Sequence, residues 1–469
     1  MVSTEKRGNC WSFGLRRASD AGRVASSWVL RAGSERVNSR AEGSILVLDP
    51  SCQAAQGHHL NSLLDLAAAL APRPLSVVVN AAMPCAEFGL NATITRSFRS
   101  TVYDEPGLGP RPNGRLARRL WKLQRALQTA IASADRAQTK ISARLSDNAA
   151  LFAQDWRWSR WRKKWPELQQ VLSEVVNAPV AHIVVPSSDV ELICGLAELR
   201  ATNPFLNNAT IHARLITLTP AMALLRNDGK ASSAYAELVA SRMEGVHLYV
   251  ETPAMKTHLA DTLGLASAVY PYLLSPPRFQ HSHHTNGATF GYFGGMRNEK
   301  GFSRLLPILR LVAERQLASD PAISFIIHGS DAQGEEAERL IAEFAKIARP
   351  QMDVAFIAGP LSARDYQKRF LQIDGALLPY TGARYAMSGS GIVCEALAMG
   401  KVILLSKGLS FGGQCDASHS IESAGDSEFA SAILTVSRNL EHYRAAAAIR
   451  ARRYQDEVRD CALLQRIGV

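Results

Sequence analysis

The sequence has no long apolar run, and no stretch approaches the about 20 residues that a helix needs to cross a bilayer. Behind the basic residues at its start there is no apolar core of the kind a secretory leader carries, so we expect a cytoplasmic chain. Cysteines are few and show no pairing pattern. The seven of them (Cys10, Cys52, Cys85, Cys194, Cys394, Cys415 and Cys461) are odd in number and lack any C-x-x-C spacing. That excludes a disulfide frame and a zinc ribbon and favours a reducing compartment. The sequons at Asn91 and Asn208 are then chance matches. At 469 residues, with 47% apolar and 20% charged types, the chain has the composition of a globular protein and room for two or three domains.

The formal charge of +11 is unevenly spread. Residues 1–43 are rich in Ser, Gly, Ala and Arg and show little periodicity, as expected of a disordered basic extension. A transit-like segment fits the composition, but no sustained amphipathic pattern supports it. Residues 111–164 hold 14 Arg and Lys against 3 Asp, so the chain outside these two segments is slightly acidic. Leu116, Leu120, Leu123 and Leu127 lie at helix spacing, and five of the seven tryptophans fall at Trp121, Trp156, Trp158, Trp161 and Trp165. Two readings fit this helical insert, which spans about 111–177. Its cations and indoles suit an anionic membrane surface, at the inner face of the cell membrane. Alternatively, its Leu/Trp face packs on the neighbouring domain and its charges are solvated. No nucleic-acid-binding motif accompanies the basic patch, so we expect no nucleic-acid partner.

The chain is organised around Gly375–Ser406. Gly375 to Tyr380 has the pattern of a buried strand, and Ser388-Gly389-Ser390-Gly391 makes a small-residue turn. From Ile392 the apolar positions Val393, Ala396 and Leu397 recur at helix spacing until Gly400, and Lys401 to Ser406 reads as a second buried strand. Small residues let backbone approach a ligand, and the first helix amides have no partner within the helix. Those amides and the helix dipole favour a phosphate. Glu395, one turn in, is placed to accept hydrogen bonds from vicinal hydroxyls such as those of a ribose. A Ser/Gly cap on a core helix, with Glu395 solvated, fits the same residues.

This stretch resembles the donor-binding half of GT-B glycosyltransferases, in particular the retaining GT4-like group (glycosyl transferases group 1). Gly291 to Gly301, GYFGGMRNEKG, looks like that group's G-R-x-x-x-E-K-G loop, and Leu378-Pro379-Tyr380 like the strand end before its donor loop. The matches span roughly residues 288–410 in the right order, while the first half matches in layout only. The resemblance implies an α/β fold: two Rossmann-like, doubly wound parallel-sheet domains facing a cleft. It implies a nucleotide sugar as substrate, with no cofactor and no bound metal. Gly294, Gly295, Tyr380, Ser388, Gly389, Ser390, Gly391, Ile392 and Glu395 would then form the donor site. Arg297 and Lys300 would stabilise the departing diphosphate, where negative charge develops.

The rest of the chain suits that frame. From Ser44 the pattern runs strand (Ile45 to Leu48), loop (Gln56-Gly57-His58-His59), helix (Asn61 to Leu70) and strand (Leu75 to Val79). By resemblance the first loop lies at the cleft, which makes Gly57 and His58 cleft candidates. Further strands read at Ala181 to Ser187, Ile211 to Leu218 and Val246 to Val250, and a helix follows Thr252-Pro253. His212 and Arg214 share one strand face by period two. The resemblance implies that such residues reach the cleft floor, giving His212 a catalytic role; an edge pair facing solvent is the alternative. Tyr270 to Pro277 is a stiff linker, and the polar His281–His284 run after it lacks partner ligands for a metal. Domain boundaries are expected at 44–275 and 285–440, with 441–469 a helical segment packing back across both.

Two positions depart from the family pattern. The first of two family glutamates falls on Met387, and the family arginine falls on Gly295. The expected activity is transfer of a sugar, with retention, to a glycan or lipid-linked acceptor in surface-polysaccharide synthesis. A catalytically silent nucleotide- or glycan-binding scaffold and a nucleotide-sugar epimerase are the alternatives.

Overall fold

The computed structural model describes residues 44–53, 58–84, 92–102, 160–216, 243–270, 287–381 and 383–468. The N-terminal extension, Gly57, residues 111–159 of the basic insert and the 271–286 linker lie outside the described residues.

The first domain is built from β1 (Ile45–Asp49), α1 (His58–Leu70), β2 (Leu75–Asn80), β3 (Ala92–Phe98), α2 (Arg160–Lys164), α3 (Leu168–Val175), β4 (His182–Ser188), α4 (Val190–Thr202), β5 (Thr210–Leu215), β6 (Val246–Val250), α5 (Pro253–Leu263) and β7 (Ser267–Val269). All seven strands are parallel, in the order β3-β2-β1-β4-β5-β6-β7. The central strand β1 is buried along its whole length, as its apolar run requires. Helix boundaries follow local chemistry. The Thr252 hydroxyl accepts from Met255 N–H (3.2 Å), Pro253 fills the first turn, and Gly264 ends α5 in the left-handed region (φ 65°). Helix α1 begins at His58, so both His58 and His59, expected in the preceding loop, belong to the helix.

The second domain follows with β8 (Ala288–Gly294), α6 (Phe302–Arg315), β9 (Ile323–Gly329), α7 (Gly334–Ala345), β10 (Met352–Ala358), α8 (Ala363–Gln372), β11 (Gly375–Leu378), α9 (Gly391–Ala398), β12 (Val402–Ser406), β13 (Ser420–Ser423), α10 (Asp426–Arg438), α11 (Leu440–Arg459) and α12 (Ala462–Ile467). Its six strands are parallel in the order β10-β9-β8-β11-β12-β13. The expected α/β fold with two doubly wound sheets is therefore what the chain adopts. In each sheet the order reverses once, between β1 and β4 and between β8 and β11. Those are the points where a crevice opens at the carboxyl ends of the strands.

The chain's last helices join the domains. Arg73 donates from Nη1 to Ile467 O (2.6 Å) and from Nη2 to Gly468 O (2.7 Å), capping α12 with a cation at its carbonyl end. Leu463, Leu464 and Ile467 share one buried apolar cluster with Leu66 of α1 and Val393 of α9. Among the described residues no helix is long and apolar enough to cross a membrane.

The described end of the basic insert is core. Trp165 is fully buried, edge-on to Phe98 with centroids 6.1 Å apart, and its indole N–H reaches Asp189 Oδ1 (3.2 Å). Trp161 is buried against Gly195 of α4 and donates to Glu198 Oε2 (2.8 Å). Lys164, also buried, pairs with Asp189 (2.7 Å). These two indoles are thus unavailable to a lipid interface, which corrects that part of the membrane expectation. Replacing Trp165 by Ala should cost about 3–5 kcal/mol, the usual loss for a large buried aromatic. Urea unfolding checks this, and a loss below about 1 kcal/mol would contradict the packing.

Candidate donor-binding site

The loop after β8 lies against the end of β11. Asn298–Lys300 form a single tight turn, and Gly301 follows in the left-handed region (φ 69°). A Cβ at Gly301 would stand 1.8 Å from Pro379 O, so only glycine permits this approach. The contact is tied on both sides. Thr381 N–H donates to Glu299 O (2.9 Å) and its hydroxyl to Asn298 O (2.9 Å). Arg304 of α6 spans Pro379 O (2.9 Å), Ser406 Oγ (2.8 Å) and Asp426 Oδ1 (2.6 Å). The Asp331 carboxylate, at the end of β9, accepts from Met296 N–H (2.7 Å) and fixes the start of the same loop.

This clamp sets the two cations. A Cβ on Gly294 would sit 2.9 Å from Lys300 Nζ, so the ammonium lies over the backbone of Gly294. Its charge reaches Glu395 on α9. Arg297 is partly exposed, 3.4 Å from Glu299 Oε1, and its charge reaches the Tyr380 hydroxyl at the end of β11. Gly295 lies next to the Asp331 carboxylate rather than supplying a cation.

Across the crevice, Ser388-Gly389-Ser390 leads into α9, whose first residues are Gly391 and Ile392. Intrahelical bonding begins with Val393 and Cys394 N–H on Ser390 O, so the Gly391 and Ile392 amides have no partner within the helix. The loop is braced from below. Tyr380, Tyr385 and Phe411 form an aromatic cluster with centroids 4.5–6.4 Å apart, and Ser410 Oγ donates to Ser388 O (2.5 Å). Tyr380 Oη lies 3.5 Å from Ser390 Oγ. Glu395 is half-buried and accepts from the Tyr366 hydroxyl (2.5 Å). Burial pushes its carboxyl up to about 7, against the opposing pull of the tyrosine hydrogen bond and the Lys300 charge. Tyr366 is itself held by Phe293 and Phe370, at 5.4 and 5.8 Å between centroids.

The carboxyl ends of the first sheet supply the facing floor. Asp49 at the end of β1 and Ser187 near the end of β4 converge on His59 Nδ1, at 3.2 Å each. His59 is brought there; the His58 side chain lies outside the described residues. Arg214 is fully buried on β5. It donates from Nε to Pro186 O (2.6 Å), reaches Ser62 Oγ (3.5 Å) and lies over the Tyr270 ring at 4.7 Å. Glu251, just beyond β6, accepts from Gly389 N–H through Oε2 (3.0 Å). Burial raises its carboxyl, while Arg214, the Gly389 amide and His59 pull it down.

His212 is not on this floor, which corrects the role expected for it. It is the third of six residues of β5, in register with Val184 of β4 and His247 of β6, so it lies in the amino half of the sheet. Its Nδ1 is 3.0 Å from the Tyr249 hydroxyl and its Nε2 is 3.1 Å from His182 Nδ1. Arg466 donates to the same Tyr249 oxygen (3.1 Å). Burial, then the neighbouring histidines and Arg466, holds His212 down to about 3. It is a neutral structural group under α12.

The structure thus brings Gly294, Lys300, Tyr380, Ser388–Ile392 and Glu395 to one crevice, with Arg297 at its rim and Arg214 beneath the opposite wall. It separates His212 from them. Sequence reasoning missed Glu251, Tyr366 and Asp49, and weighed His59 as either a cleft residue or a polar helix start. Of those missed, only Asp49 carried a hint, as a polar residue ending a buried strand.

No family model matches the sequence, and no curated protein sequence matches it. Solved structures do share its fold. Anabaena HepE in complex with UDP and glucose superposes with a TM-score of 0.52 at 13% identity, over 88% of this chain and 95% of that one. Sucrose-phosphate synthase from Thermosynechococcus elongatus gives 0.52 at 12% identity, over 91% and 96%. The UDP-forming trehalose-phosphate synthase of Burkholderia xenovorans, in complex with glucose-6-phosphate, gives 0.53 at 13% identity, over 91% and 100%. At these identities the likeness establishes the fold, two facing Rossmann-like domains of the GT-B type.

Proposed function

We propose that the chain is a glycosyltransferase that moves a sugar from a nucleotide-sugar donor to a glycan or lipid-linked acceptor, with retention of configuration, in surface-glycan synthesis. The observation that carries the reading is the meeting of Lys300, the amino end of α9 and Glu395 at the β8/β11 switch point. Solved proteins of this fold were captured with UDP and glucose and with glucose-6-phosphate, which fits a nucleotide-sugar donor and a sugar acceptor.

In this reading the Glu395 carboxylate accepts the two ribose hydroxyls. The Gly391 and Ile392 amides hold phosphate oxygens at the positive end of α9. Lys300 and Arg297 meet the diphosphate as the sugar–oxygen bond breaks and charge accumulates on the leaving oxygen. No side chain is assigned as general base. The departing phosphate oxygen takes the acceptor proton while the acceptor attacks from the same face. A second reading is a catalytically silent nucleotide-binding protein. It is favoured by Met387, which packs its side chain against the first domain's core instead of presenting a carboxylate.

A thermal-shift screen of UDP- and GDP-sugars identifies the donor, because a ligand held by the native state raises its apparent stability. With that donor, Lys300→Ala should lower transfer about 100-fold or more, the scale of losing one group that stabilises the leaving charge. Donor binding with no transfer to any acceptor would support the silent scaffold instead.

Glu395 adds a pH signature. Its folded value of about 7 lies above the ordinary 4.5, so the folded protein holds an extra proton between those values. The stability linked to that proton is present at pH 4.5 and below and is lost as pH rises through about 7. Glu395→Gln should therefore raise the melting temperature at pH 8 and leave it nearly unchanged at pH 4.5. Nucleotide affinity of the parent should weaken below about pH 7, where the carboxyl no longer accepts both hydroxyls. Calorimetric titration of UDP from pH 6 to 8 checks the second point.

A further inference from the structure

We infer that Glu251 is a sugar-recognition residue of the donor site, contributed across the cleft by the first domain, whose carboxylate accepts a hydroxyl of the donor's sugar. The inference rests on the donor-site reading above and adds the residue that faces the transferred group.

The backbone of Glu251 is fixed from both domains. Thr252 caps α5 immediately after it, and Glu251 O accepts from Gln414 Nε2 of the second domain (3.3 Å). Its side chain is fixed at one oxygen only. Oε2 accepts from Gly389 N–H at 3.0 Å, whereas Oε1 makes no hydrogen bond among the described residues. The approach demands glycine in the loop, since a Cβ on Gly389 would lie 2.4 Å from Oε2 and 2.6 Å from Glu251 Cβ. Arg214 supplies favourable charge to the carboxylate and is immobilised by Pro186 O and the Tyr270 ring. The result is an anchored carboxylate with one acceptor oxygen to spare.

The donor loop offers nothing equivalent. From Ala386 to Ile392 it has no charged side chain, and Met387 is turned into the first domain's core. A nucleotide with its ribose at Glu395 and its phosphates at Ile392 and Gly391 runs toward Gly389. The group beyond the diphosphate is then the sugar, and it arrives beside Glu251. A hydrogen bond from hydroxyl to carboxylate is charge-assisted and strong. A donor lacking that hydroxyl would leave the oxygen enclosed and unsatisfied, so the contact selects as well as binds.

The experiment is calorimetric titration of UDP, GDP, UDP-glucose, UDP-N-acetylglucosamine and GDP-mannose into the full chain and into Glu251→Gln, Glu251→Asp and Glu395→Ala. The quantity read is the affinity of each sugar nucleotide relative to its free nucleotide. A glutamine has one carbonyl oxygen, which Gly389 N–H occupies, so the sugar loses its acceptor. For the sugar nucleotide the parent prefers, Glu251→Gln should lose about tenfold or more, with free nucleotide affinity unchanged within about twofold. Glu251→Asp, which withdraws the carboxylate, should do the same. Equal losses for sugar nucleotide and free nucleotide, or no loss in either, would overturn the inference and leave Glu251 as a prop for the loop. A parent that binds none of the five probes would overturn the donor-site reading and this inference together. Loss of free nucleotide affinity in Glu395→Ala supports the nucleotide orientation on which the argument rests, independently of Glu251.

Discussion

The site exists because β8 and β11 are neighbours in one sheet while the segments that follow them depart to opposite sides. The gap between those segments cannot be closed by another strand, and it lies at the carboxyl ends, where backbone amides and helix amino ends converge. What keeps the gap narrow is the contact of Gly301 with the Pro379 carbonyl, with the Thr381 and Arg304 hydrogen bonds around it. Without that contact the cation-bearing turn would have no fixed relation to the loop of Ser388–Gly391. The donor-site geometry depends on a peptide-to-peptide approach that a single methyl group would prevent.

Enclosing this crevice has a cost that falls on Glu395. A carboxylate surrounded by Tyr366, Lys300 and the α9 backbone loses water that its protein partners replace only in part. The residue is therefore held with a carboxyl near half-ionised at neutral pH, a state that two ribose hydroxyls would relieve by donating to it. Stability given up at Glu395 would be recovered by a ligand that completed this buried polar arrangement. Arg214 shows the opposite solution. It is more deeply buried, but Pro186 O, Ser62 and the Tyr270 ring are already arranged around it.

Much of the second domain could be read from the chain because its information is local. Gly375–Leu378 and Val402–Ser406 are apolar runs that fold as fully buried strands, and the Ser/Gly turn before Glu395 does open a helix. The first domain was less legible. Ala92–Phe98, ATITRSF, is an edge strand with mostly half-exposed residues, and its mixed pattern gives no clear period. Period two placed His212 and Arg214 on one face, but a face has two ends. One residue, Ala213, stands between them, and that two-residue step leads from the amino half of β5 to its carboxyl end. By composition Trp161 and Trp165 fitted either an interface or a packed face; they are core because α4 offers Gly195 as a seat, and Glu198 and the N-cap Asp189 serve as acceptors. Tyr366 and Glu251 were invisible because each acquires its role from a partner distant in sequence, Glu395 and Gly389.

That last pair bears on how the two domains act together. A carboxylate from one domain on an amide of the other is a contact that only the apposed arrangement can make, and it falls where the donor loop meets the cleft. Other ties between the domains include Arg73 on the end of α12, Arg466 on Tyr249 and Gln414 on Glu251 O. An opening of the cleft would part the domains at the donor loop. The Glu251–Gly389 bond would be the part broken. Because Glu251 is enclosed beside Arg214 and His59, opening would return its charge to water, and closing must compensate for removing it. A sugar hydroxyl on the second carboxylate oxygen supplies such compensation, so a filled donor site and a closed cleft would favour each other through the same side chain.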